Sequence, residues 1–199
     1  MLEQRIQQHF IESADLQYQS AQILGKPIAA AVQAVLVSVT SGGKVLACGN
    51  GGAAAGAQHF AAAFVGRFER DRPELAAIAL TTDSALLTMA GHEPDTRQVF
   101  ARQVRALGQA GDVLLVLSAS GNDANLVEAV ASAHEREMTV LAFTGRTGGQ
   151  IAGLLRETDV HIAVSHDRAA RIQEVHLLAL HCLCDGVDAQ LLGEQETNA

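Results

Sequence analysis

The sequence predicts an α/β protein built as a three-layer αβα sandwich, with helices on both faces of a five-stranded parallel sheet. Three observations predict it. Five short apolar runs recur between longer helix-compatible stretches. The runs are continuously apolar rather than alternating, as strands covered on both faces are. Two of them lead directly into glycine-containing turns followed by helical stretches, the unit from which open parallel sheets are made.

The elements follow in order. From Leu2 to about Leu24 the residues Ile6, Phe10, Ile11, Ala14, Tyr18 and Ala21 recur at three- and four-residue spacing, the stripe of an amphipathic helix. Gly25-Lys26-Pro27 is read as a break, and Ile28 to Val39 as a second helix ended by Ser41-Gly42-Gly43. The strands are then Val45 to Cys48, Ala76 to Leu80, Val113 to Leu117, Thr139 to Phe143 and Val160 to Val164. Helices are expected over Ala53 to Phe68 and Ala124 to Arg136, and a long closing helix over Arg168 to Leu192. Without an internal repeat or a long linker, residues 1–199 read as one domain. Residues 1–41 form its leading helices, 44–192 its core and closing helix, and 193–199 a polar, frayed tail.

Composition narrows the function. The chain has 199 residues, 48% of them hydrophobic, and its 14 Lys+Arg against 22 Asp+Glu give a formal charge of −8. That sign disfavours direct binding of nucleic acid, and the absence of Trp leaves few stacking platforms for single strands. Charged or polar residues interrupt every apolar run before it reaches the roughly 20 residues of a membrane span, so no membrane association is expected. Cys48, Cys182 and Cys184 form no CxxC pair, and no signal segment precedes the first helix, which points to a reducing, cytoplasmic compartment. The thiols next to His181 lie in an apolar helical run and read as buried side chains rather than ligands.

Two loops are candidates for holding an anion. Gly49-Asn50-Gly51-Gly52 follows the first strand, and Ser118-Ala119-Ser120-Gly121-Asn122-Asp123 follows the third. Glycines let the backbone turn sharply towards a ligand, while the first N–H groups and the dipole of the following helix favour negative charge. If the two strands are neighbours, both loops lie in the crevice beyond the carboxyl ends of the sheet. The alternative is plain connection, with Asp123 as a helix cap. A third turn, Thr144 to Gly149, reads as connection alone. Neither GxGxxG nor GxxxxGK[ST] is present, so nucleotide binding by those devices is not supported.

Cys48-Gly49-Asn50-Gly51-Gly52 with Gln58-His59-Phe60, Ser118-x-Ser120-Gly121-Asn122, and Arg171-Ile172-Gln173-Glu174-Val175-His176 with His181 together resemble the sugar isomerase (SIS) domain family. Within it they resemble the phosphoheptose isomerases and their non-catalytic relatives, the DiaA-type proteins that associate with the initiator DnaA. The resemblance covers nearly the whole chain. It implies a flavodoxin-like sheet and a homotetramer with sugar-phosphate pockets near the subunit interfaces. Those pockets would be lined by Asn50, Gly51, Gly52, Ser118, Ser120, Asn122 and Gln173. In the isomerase branch a proton moves between C1 and C2 of sedoheptulose 7-phosphate, a phosphorylated seven-carbon sugar, through an enediol-type intermediate. The family pattern supplies for this a glutamate one turn after His59 and the histidine at 181. Several members bind zinc through such groups, which here would be His59, Gln173 and His181.

The chain departs from that pattern at five positions. Ala63 stands where the glutamate is expected, and Ala170 replaces a carboxylate. Ala53 and Ala119 replace hydroxyl residues, and Asp123 stands where the family has Ser. A methyl group neither abstracts a proton nor ligates a metal, and loss of a positioned acid–base group costs about 10²–10⁴ in rate. The departures favour an expectation: a tetrameric, non-catalytic or catalytically impaired binding protein that engages DnaA multivalently without touching DNA. The alternative is a phosphoheptose isomerase of lipopolysaccharide heptose synthesis with His181 as a catalytic residue. A further alternative is a sensor that binds a sugar phosphate without converting it.

Overall fold

The computed structural model describes residues 1–92 and 96–193. It contains α1 (Leu2–Thr40), β1 (Val45–Gly49), α2 (Gly52–Val65), β2 (Ala77–Ala79), α3 (Ser84–His92), α4 (Gln98–Leu107), β3 (Val113–Ser118), α5 (Ala124–Glu135), β4 (Thr139–Gly145), α6 (Gly149–Leu154), β5 (Val160–Val164) and α7 (Ala169–Leu192). All four strand pairings are parallel, in the order β2-β1-β3-β4-β5. The register sets Val45 opposite both Ala77 and Val113, Val113 opposite Thr139, and Leu141 opposite Val160.

The period of two along each strand divides the core in two. Val45, Ala47, Leu115, Leu117 and Phe143 pack on the side of α1, α2 and α7. Leu46, Cys48, Leu114, Val116 and Ala142 face the other way, against Phe100 and Val104 of α4, Leu126 and Val130 of α5, and Ile151 of α6. Both faces are thereby covered, which is why the strands read as unbroken apolar runs. At the amino ends of β1 and β3, buried Asp112 ties the edges together by accepting from the Lys44 N–H (2.9 Å) and pairing with its ammonium (2.6 Å).

The break expected at residues 25–27 does not occur: α1 runs through Pro27 as one helix of 39 residues, about 58 Å long. Proline removes one N–H and leaves the carbonyl four residues back unpaired. That carbonyl belongs to Ile23, which is 64% exposed, and a side chain at Gly25 would meet open space, so water is at hand for the orphaned group. Packing of Leu16, Leu24, Val32 and Val35 into the core outweighs the local cost. The strand expected over 76–80 is limited to Ala77–Ala79. The polar tail from Gly193 onward lies, apart from Gly193 itself, outside the described residues.

Among the described residues, α1 and α7 are each long and apolar enough to cross a membrane by length and composition alone. This differs from the expectation that no run would qualify, because alanines and neutral polar residues extend the apolar windows. Core helices pass the same test, and both helices contribute buried residues to the layer that covers the sheet.

Candidate active site

In an open parallel sheet the ligand crevice forms where the chain order reverses, beyond the carboxyl ends of the strands. Here that point lies between β1 and β3, and both glycine loops emerge there. Gly51 turns the first loop with φ +56°. The adjoining Gly52 opens α2, and a Cβ on it would stand 2.7 Å from Gln173 Oε1. The missing side chain therefore makes room for the amide that α7 brings across the start of α2.

The second loop is held from below by the third turn. Gly121 has φ +68°, and a Cβ there would lie 1.9 Å from the carbonyl oxygen of Gly148, which no side chain tolerates. Asn122 Oδ1 accepts from the Gln150 N–H at 3.0 Å, and its amide donates to the Ser120 carbonyl at 3.1 Å. Asn122 thus fastens the loop to α6. The turn over 144–149 is connective, as its sequence suggests, but it also buttresses the loop.

Asp123 does not cap α5 with its side chain. Ser118 Oγ donates to Asp123 Oδ2 while accepting from the Gly121 N–H at 2.8 Å. Ser120 Oγ donates to the same carboxylate oxygen at 3.2 Å, and Asn50 Nδ2 donates to Oδ1 at 3.3 Å. Asn50 also exchanges two hydrogen bonds of 2.9 Å with Asn125, clipping the first loop to α5. The capping expected from the sequence loses to these donors because the two hydroxyls and the amide converge on the carboxylate from neighbouring loops.

The imidazoles form the other half of the site. His59 Nε2 and His181 Nε2 lie 2.9 Å apart, with the rings edge to face at 5.0 Å and Phe68 against His181 at 5.4 Å. At that distance one Nε2 carries the proton and the other accepts it. Burial holds the His181 pKa below the ordinary imidazole value, the neighbouring His59 adds to the lowering, and Glu69 opposes it. His59 lines a cavity of about 520 Å³ together with Gly52, Gly56, Ala170, Gln173 and Glu174. His181 reaches its edge through His59. Ala63, one turn after His59, is buried in the core, and its carbonyl accepts from Arg72 at 2.8 Å.

The sequence-predicted residues therefore fall into two adjoining clusters. His59, Gln173 and Gly52 line the first cavity, with His181 held against His59, whereas Asn50 lines a second of about 450 Å³ with Asp123, Asn125, Thr96 and Phe100. Sequence reasoning missed Glu174, which lines the first cavity and whose carboxylate is bound to Ser13 (2.7 Å) and Arg171 (2.5 Å). Its only signal is its place beside Gln173 on the closing helix. His176 is a core residue: it is 3% exposed, its Nε2 donates to the Thr144 carbonyl at 2.9 Å, and burial pushes its pKa down to about 4 against the lifting effect of that bond.

The donor set does not fit a firmly held zinc. Among the described residues no three His, Cys, Asp or Glu side chains converge. Two imidazoles with a neutral amide fall short of the three strong protein ligands typical of a catalytic zinc.

Comparison with known proteins gives the family. The SIS domain family matches residues 9–145. The chain is 65% identical over 196 residues to a phosphoheptose isomerase of Methylibium petroleiphilum, covering 98% of each chain. It is 57% identical over 192 residues to one of Aromatoleum aromaticum, covering 96% of this chain and 97% of that one. Among solved structures, phosphoheptose isomerase GmhA from Neisseria gonorrhoeae superposes with a TM-score of 0.90 at 50% identity, over 95% of this chain and 100% of that one. A phosphoheptose isomerase from Francisella tularensis superposes with 0.91 at 41% identity, over 94% and 98%. The chain belongs to the SIS domain family. These relatives correct the expectation of a non-catalytic, DiaA-type protein that engages DnaA for replication initiation: they are named phosphoheptose isomerases across the full length of the fold. That expectation rested on a few side-chain changes within a site whose scaffold is shared.

Proposed function

We propose that this SIS-domain chain is an isomerase of a phosphorylated seven-carbon sugar, converting sedoheptulose 7-phosphate to its aldose isomer. The observation that carries the reading is the 2.9 Å contact of His59 with His181 at a cavity large enough for a sugar. The names of relatives at 57% and 65% identity support the substrate class. Ketose–aldose isomerisation removes a proton from C1 as the C2 carbonyl oxygen gains one, giving an enediol, and then returns a proton to C2 as the C1 hydroxyl gives up its own and becomes the aldehyde oxygen. It needs a base and an acid within reach of adjacent carbons. Of the two rings, the one whose Nε2 accepts is a base and its N–H partner an acid. Gln173 and the loop at Gly51-Gly52 orient the sugar beside them. With Ala63 a methyl, proton transfer falls to the two rings.

The three free thiols fit a reducing compartment, and we place the enzyme in the cytoplasm. A homotetramer is part of the same reading. An apolar groove of about 480 Å³ between α1 and α7, and exposed Leu2, Ile6, Phe10 and Tyr18 along α1, offer surface for other copies. Sedimentation would read the assembly.

The deciding experiment is turnover of sedoheptulose 7-phosphate by the purified chain, beside His181→Ala. Turnover that falls by about 10²–10⁴ in the variant is expected. Absence of turnover in the wild type, or an undiminished rate in the variant, overturns the reading.

A further inference from the structure

The donors of the second loop already hold an anion, and it belongs to the protein. Ser118 Oγ and Ser120 Oγ both donate to Asp123 Oδ2, and Asn50 Nδ2 donates to Oδ1. These are the side-chain donors that the two loops present at the start of α5, where the helix dipole favours negative charge. A phosphoryl oxygen at the same donors would stand within hydrogen-bond distance of the carboxylate, and like charges so placed cost several kcal/mol.

We propose that Asp123 is a specificity-determining residue that occupies the phosphate cradle as a resident carboxylate, so that a substrate phosphate binds only by displacing it. The inference rests on reading the site as one for a phosphorylated sugar, and it adds what sets the affinity for that phosphate in this chain. Asp123 has somewhere to go. Its backbone (φ −67°, ψ 113°) is already that of an N-cap residue, yet its side chain makes no capping bond. Rotation about χ1 transfers the carboxylate from the serines to the N–H groups of the first turn of α5, the usual place for an N-cap aspartate. Ser118 keeps its bond from the Gly121 N–H through this change, and Ser120 its bond from the Asn122 N–H. The cradle therefore stays formed when the carboxylate leaves.

The test is titration of the full chain with inorganic phosphate, followed by ³¹P line broadening or calorimetry, for the wild type, Asp123→Asn and Asp123→Ser. Both variants are expected to bind phosphate about tenfold more tightly or better. The gain is expected to vanish when Ser118→Ala and Ser120→Ala are added to Asp123→Ser. Phosphate binding no tighter than wild type in both single variants, with circular dichroism showing them folded, overturns the proposal. So does a gain that survives loss of the two serines. Turnover is measured separately on the same proteins. A rise in phosphate affinity without turnover in any of them would sink the isomerase reading and leave Asp123 as the occupant of the cradle. Turnover with unchanged phosphate affinity would do the reverse.

Discussion

His59 and His181 are 122 residues apart in sequence and 2.9 Å apart at their Nε2 atoms. The contact exists because α2 leaves β1 at the switch point of the sheet and α7 closes over the same face. A small-residue helix allows this approach: Gly56 of α2 stands where a Cβ would come within 3.3 Å of Leu117 and 3.8 Å of Leu180. The imidazole pair is thus a product of tertiary packing, supplied by two elements that carry one imidazole each.

The pair predicts an acid limb in the pH–rate profile. Burial and the neighbouring His59 lower the His181 pKa, so the neutral, base-competent form is present above that value and is lost as pH falls through it. The kcat/KM for sedoheptulose 7-phosphate should be level near neutrality and decline on the acid side with a midpoint below the ordinary imidazole value of about 6.5. A midpoint above that value would contradict the assignment.

Two glycines should behave oppositely on substitution. Gly121→Ala forces a side chain into left-handed backbone and onto the Gly148 carbonyl, so thermal or denaturant unfolding should show a loss of about 2 kcal/mol or more. Gly52→Ala meets only the far end of the Gln173 side chain, which can swing away. Its melting temperature should stay within a few degrees of wild type while KM rises, because the displaced amide no longer lies across the start of α2.

The contrast shows what was legible in the sequence and what was not. The five strands and both loops could be read because continuous apolar runs and glycine turns are local signals, and they needed no partner to be recognised. The continuity of α1 through Pro27 could not, since it depends on Leu24, Val32 and Val35 finding the core on either side of the proline. Asp123 could be placed at the N-cap of α5, but whether its carboxylate served that helix or the hydroxyls of Ser118 and Ser120 was decided by donors folded around it. The same limit hid Glu174, whose partner Ser13 lies 161 residues away.

His176 predicts how stability depends on acid. Its folded pKa, about 4, lies below the unfolded value of about 6.5, so between these values the unfolded chain binds a proton that the folded chain refuses. Stability is fully present above about pH 6.5 and falls towards pH 4, and this one group contributes a loss of about 3 kcal/mol over that window. His176→Gln keeps an N–H for the Thr144 carbonyl and removes the titration. Urea unfolding of this variant between pH 7 and pH 4.5 should show a shallower decline than wild type; equal slopes would place the acid sensitivity elsewhere.

Restoring the carboxylate one turn after His59 gives the sharpest test of how the imidazole pair works. Positions 59 and 63 are one turn apart on α2, so a glutamate at 63 is a neighbour of His59 on the helix. There it would orient the imidazole that carries the proton and act as a second proton acceptor. Ala63 is 7% exposed, and the Arg72–Asp188 ion pair (2.6 Å) lies beside its carbonyl, so the new side chain also meets a cation able to receive it. Ala63→Glu should therefore raise kcat by about 10²–10⁴ with little change in KM, since an added acid–base group acts on the transition state rather than on ground-state binding. A fall in KM at constant kcat would instead mean that residue 63 serves binding. A folded variant with neither constant changed would show that the two histidines already supply all the proton transfer the reaction uses.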